Sequence, residues 1–156
     1  MENFLKENLL TLLVGTWFIH STNFPMWLKG DKVNPTFNYS LVIKKEHVLL
    51  DEVKYLKNGK EKSIVGFDTQ DPKDTTAFVW RGKGLLHLLK SKWKVALLDD
   101  SGQWAVIWFS KTLFTPEGVD IISRTPSLSP EIIQQIKSKM EQDSILKKHT
   151  MSLKTL

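Results

Sequence analysis

The sequence predicts an all-β fold: an up-and-down antiparallel barrel of about eight strands, with a helix packed beside it. Two observations carry this. Short β-branched and aromatic runs follow one another from Gly15 to Arg124, with tight turn signals between them. The stretch Gly118 to Met140 then reads as a last strand, a turn and one amphipathic helix. Consecutive strands with short turns favour antiparallel pairing over a parallel sheet, and closing the sheet removes its exposed edges. One domain is expected over 1–156, with a short N-terminal helix (1–14), barrel strands (15–124), a helix (129–142) and a final edge strand (147–156).

Each element has a local reason. Leu5, Leu9, Leu12 and Leu13 share one face of a short helix. Residues 15–22 are strand-like, and 23–35 form a loop rich in Pro, Gly, Asn and Lys. In 37–43, alternation puts Phe37, Tyr39, Leu41 and Ile43 on one face. Residues 47–56 and 62–69 are strands joined by an Asn-Gly hairpin turn at 57–60. The turn 70–74 leads to the strand 75–82, and 82–92 holds a leucine cluster without a strand to bury it. Strands 93–98 and 103–110 flank the turn 99–102. Val119 to Ser123 forms the next strand, and Pro126 keeps Thr125 out of the helical region. Ser129 as N-cap, Pro130 at the first helical position and Glu131 in the first turn start the helix. Ile132, Ile133, Ile136 and Met140 give it an apolar stripe.

Composition narrows the function classes. The 156 residues suffice for one sizeable core, and 22 basic against 17 acidic residues leave a net charge of +5. That excess suits an anionic ligand or membrane surface, and equally an inert basic surface. The absence of cysteine excludes disulfides, thiol catalysis, cysteine zinc sites and a lipidated cysteine. Four scattered histidines show no metal-ligand spacing, so neither a metal nor a cofactor is expected. The apolar run 9–15 follows Glu2 and Glu7 rather than a basic leader and is too short to span a bilayer. A cytoplasmic, soluble protein is expected.

Two motifs go beyond patterning. Gly15-Thr16-Trp17 resembles the G-x-W signature that opens the first lipocalin strand. Ile122-Ser123-Arg124-Thr125-Pro126, followed by the capped helix, resembles the last strand and helix of bacterial lipocalins. The resemblance runs from about Gly15 to the C-terminus and implies a barrel with a hollow interior. It implies that Gly15, Trp17 and Arg124 form a structural closed end, the arginine packing over the tryptophan. At the family's middle motif, usually Thr-Asp-Tyr and linked to partner contacts, this chain has Asp99-Asp100-Ser101.

Candidate ligand-binding residues are Trp27, Phe37, Tyr39, Leu41, Phe78, Trp80, Trp93, Val95, Trp108 and Asp120, with Leu97 also expected inward by alternation. Arg81 leaves the parity of Phe78 and Trp80 open. Asp120 is contested. Apolar alternation sends it to solvent. The family register, which is followed here, puts it inside with Arg124 and gives it Arg81, another cation or a ligand head as partner. One of Asp51 and Glu52 points inward unless a bulge turns both out. His20 has outward parity and is expected at the surface. No catalytic residue is assigned: G-x-S-x-G is missing, and the glycines at 82–84 lack the rest of a phosphate loop.

The function expected is binding or transport of a small hydrophobic or amphipathic ligand, fatty-acid- or lysolipid-like, inside the barrel. The alternative is an enzyme acting on a lipid-like substrate there. A nucleic-acid partner is not expected, because the aromatics sit in apolar alternation rather than among lysines. Loops 23–35, 57–62, 82–92 and 112–118 should surround the open end. Their apolar residues, set among lysines, would meet an anionic amphiphile or membrane surface.

Overall fold

The computed structural model describes residues 8–156. Eight antiparallel strands follow in chain order: β1 (Gly15–Thr22), β2 (Val33–Leu41), β3 (Val48–Lys57), β4 (Lys60–Gln70), β5 (Ala77–Gly82), β6 (Lys90–Leu98), β7 (Trp104–Phe109) and β8 (Gly118–Ser123). Each pairs with the next, and β1 pairs with both β8 and β2, which closes the barrel. The β3–β4 hairpin turns at Asn58 (φ 51°) and Gly59 (φ 71°), the left-handed pair that a two-residue hairpin requires.

Among the described residues, three α-helices sit outside the strands: α1 (Leu9–Leu13), α2 (Pro25–Leu28) and α3 (Pro130–Glu141). Leu5, expected on the first helix, lies outside the described residues. α1 buries Leu9 and Leu13 under the barrel. α2 interrupts the region expected to be loop, and β2 starts at Val33 rather than Phe37. α3 begins as expected: the Ser129 hydroxyl accepts from the Ile132 N–H at 3.3 Å, with Pro130 and Glu131 in the first turn. Residues 147–156 depart from the expected edge strand. Lys147–Ser152 form a 3₁₀ helix, and only Lys154–Thr155 (β9) pair, with Ser21 and Thr22 of β1. This tail bonds to the backbone of His20, and His20 is buried rather than at the surface.

Two apolar cores result. The inner one fills the lower barrel with Trp17, Ile19, Leu49, Ala105, Ile107 and Ile122 among others. The outer one lies between the β7–β8 face and α3: Trp104, Val106, Val119 and Ile121 against Ile136, Met140, Leu146 and Leu153. β7 and β8 are therefore covered on both faces, and the inner residues of β8 are Asp120 and Ile122. Among the described residues no helix is long and apolar enough to cross a membrane.

Candidate ligand-binding cavity

One end of the barrel is sealed. Trp17 is fully buried, and its indole N–H donates to the Leu13 carbonyl at 2.9 Å. The Arg124 guanidinium lies 3.7 Å from the Trp17 ring centre. It donates to the carbonyls of Leu12 (2.6 Å), Val14 (3.0 Å) and Thr16 (3.1 Å). One side chain thus joins β8, α1 and the start of β1. Gly15 has φ 111°, and a Cβ there would stand 3.0 Å from the Arg124 guanidinium, so glycine suits both backbone and space.

Above this seal lies a cavity of about 470 Å³ that opens at the other end. Its wall includes Phe37, Tyr39, Val53, Ile64, Trp80 and Trp93. Aromatic contacts organise it: Trp93 stacks on Phe78 at 4.4 Å and on Tyr39 at 5.9 Å between ring centres. Trp80 stands over Gly66, where a Cβ would come within 2.3 Å of its indole nitrogen. That close approach settles the parity of β5: Trp80 lines the cavity, Phe78 is buried behind it, and Arg81 is exposed outside. Gly66 escaped the sequence reading, because a lone strand glycine signals close approach without naming its partner.

The candidate residues divide. Trp27, Phe37, Tyr39, Trp80, Trp93 and Asp120 line the cavity; Phe78 and Val95 are buried in the inner core that supports it. Three lie elsewhere. Leu41, at the closed-end limit of β2, is 57% exposed, as the strand outruns the barrel there, and Ile43 beyond it is exposed too. Trp108 faces the outer core and donates to Glu117 at 2.7 Å, while its neighbour Phe109 faces inward. Leu97 also packs on the outer core, because a register shift between Val95 and Leu97 inverts the alternation.

Carboxyl groups interrupt the apolar wall. Asp51 points inward and is buried, while Glu52 pairs outside with Lys54 at 3.9 Å. Behind Asp51 on β4 stands Asp68, fully buried, which accepts from the Trp93 indole N–H at 2.8 Å. Burial raises the Asp51 carboxyl to about 7 and lifts that of Asp68 well above the usual range, the Asp51 charge adding to the second. Asp51 Oδ1 and Asp68 Oδ2 have no other hydrogen-bond partner, and a proton shared between the two carboxyls would supply one. Asp120, on the β8 wall, is 1% exposed. Burial raises it to about 7, against a hydrogen bond with Thr22 that favours its ionised form. Arg81 is not its partner. Burial and then the nearby Asp51, Asp68 and Asp120 push the Tyr39 phenol well up, keeping it protonated.

The mouth is built by loops from three expected connections. Phe24 and Trp27 fold down into the barrel, whereas Leu85, Leu88, Leu113 and Phe114 are exposed at the rim. The basic ring is uneven. Lys29, Lys32 and Lys57 gather on Asp31 at 4.0, 3.7 and 3.3 Å, while Lys60, Lys62, Lys83, Lys90, Lys92 and Lys111 are exposed without an ion pair among the described residues.

No family model and no curated protein sequence matches this chain. Its fold does match solved structures. Lobster apocrustacyanin A1 aligns with a TM-score of 0.70 at 12% identity, over 98% of this chain and 83% of the other. Insecticyanin from the tobacco hornworm Manduca sexta gives 0.71 at 14%, over 94% and 78%. The siderocalin Ex-FABP gives 0.68 at 15%, over 93% of each chain. The likeness is one of fold, and the fold is that of the lipocalins: a closed antiparallel barrel with a flanking C-terminal helix.

Proposed function

We propose that this chain binds a small hydrophobic or amphipathic molecule inside the barrel and carries it. The observation that supports this most is the aromatic-lined cavity of about 470 Å³, open at one end and sealed at the other. Apolar burial supplies the affinity, about 25 cal/mol per Å² removed from water. Ligands of fatty-acid or lysolipid type suit a cavity of this lining. An anionic head would stay at the mouth beside Lys83, Lys90, Lys92 and Lys111, away from the carboxyls inside. The exposed Leu85, Leu88, Leu113 and Phe114 give an anionic membrane surface a place of transient contact. The siderocalin neighbour, described as having dual ligand specificities, is in keeping with a barrel used for binding.

A second reading, an enzyme acting on a lipid-like substrate, draws on the Asp51–Asp68 pair. A carboxyl near 7 facing an apolar cavity has the right character for general acid–base work. Native mass spectrometry of freshly purified chain, before and after organic extraction, tests the carrier reading. A bound mass that extraction removes unchanged supports it. A chain that binds no amphiphile, or that returns an added ester or epoxide hydrolysed, overturns it.

A further inference from the structure

Asp120 is a buried carboxyl that lacks a partner on the cavity side. It lines the cavity, is 1% exposed, and its Oδ1 has no hydrogen bond. Among the described residues no cation of the wall answers it: the only cationic lining side chain is Lys90, which belongs to the mouth at the start of β6. The cavity's other buried acidic group, Asp51, is likewise an acceptor, backed by Asp68. Among the described residues these carboxyls do not assemble into a set that could hold a metal ion. A ligand group that binds the ionised form of Asp120 at this depth brings a proton to the oxygen that lacks one.

We propose that, among the amphiphiles the cavity can take, it favours an apolar organic amine, whose ammonium group reaches Asp120 with Asp51 as a further acceptor, over one whose anionic head must stay at the mouth. The inference rests on the cavity being the binding site. An ammonium ion supplies three donors and a charge, so it satisfies the orphaned oxygen and neutralises a carboxylate that is costly to bury alone. A neutral alcohol brings one weaker donor. A carboxylate brings like charge to a wall of carboxyls and is disfavoured. The apolar body then lies along Trp27, Trp80 and Trp93, with its far end at the exposed leucines of the rim.

The experiment is a titration with decylamine, decanol and decanoate, each below its aggregation threshold, followed by tryptophan emission and calorimetry. The wild-type chain is compared with Asp120→Asn, and with Asp120→Ser should the asparagine pack poorly. Wild type is expected to bind the amine about tenfold more tightly than the alcohol, with decanoate weakest. The Asp120 variant is expected to lose the amine preference while keeping its affinity for decanol. Equal affinity for amine and alcohol, a preference for decanoate, or an amine preference that survives the substitution overturns the inference and leaves the carrier reading standing. Failure of all three probes to bind overturns both.

Discussion

Replacing Arg124 by alanine isolates the seal of the barrel. The side chain makes three hydrogen bonds to carbonyls at 2.6 to 3.1 Å and one cation–π contact at 3.7 Å, and none of these touches the cavity lining. The guanidinium is half-buried, and water can replace it at the exposed Val14 and Thr16 carbonyls. That leaves the Leu12 bond, about 2 kcal/mol for a charged donor, and about 1 kcal/mol for the ring contact. A loss of about 3 kcal/mol is expected, or roughly 10 °C in melting temperature for a chain of this size. Arg124→Lys should fall between, because an ammonium keeps the charge and loses the planar fork that reaches three carbonyls. Urea unfolding gives the stability, and a titration with a fluorescent amphiphile gives the affinity of the same samples. Unchanged stability with weakened binding would show that Arg124 serves the ligand rather than the fold.

Two further substitutions probe the wall. Asp120→Asn should stabilise the empty chain at pH 8, by on the order of 4 kcal/mol, and leave it almost unchanged at pH 4. The sign follows from a carboxyl raised from 3.8 to about 7: the fold holds the proton more tightly, so the contribution is complete below about 4 and lost as pH rises toward 7. Urea melts at the two pH values check this, and an equal gain at both would contradict the burial argument. Gly66→Ala should cost about 2 kcal/mol and shift tryptophan emission, since its methyl group would meet the Trp80 indole and the Arg81 carbonyl, 2.3 and 2.6 Å away. An unaltered melt and spectrum would show that Trp80 has room to move.

The strand order was legible because turn chemistry marks it, most plainly at Asn58-Gly59, and because the helix start at Ser129-Pro130-Glu131 is unambiguous. The wall was legible only where one face of a strand meets an outside that differs from the inside. On β2 that holds, and Phe37 and Tyr39 follow from alternation. On β7 and β8 it fails: the cavity side and the α3 side are both dry, so Trp108 and Phe109 look alike in sequence, and Val119 and Ile121 mimic an inward set. Asp120 was placed by the register of Arg124, not by hydropathy. The register shift after Val95 removes a residue from the count and misplaces Leu97. Asp68 carried a weak signal, an acid in the same parity as Ile64 and Gly66, which gains meaning only once pairing brings Asp51 beside it. Leu113 and Phe114 are as apolar in sequence as the leucines at 85–89, but their turn-rich surroundings carry no strand or helix signal that would place them at the mouth.

The central claim is that the cavity, and not the surface, holds the ligand. Native mass spectrometry of wild type and Val53→Trp, expressed and purified side by side, tests it most directly. Val53 lies on the cavity wall between Phe37 and Ile64, its pairing partners on β2 and β4, so an indole there fills the space without touching the rim. The wild-type chain should carry an extractable small molecule at one per chain, and the folded variant should carry none. Equal occupancy of both chains would place the ligand outside the barrel.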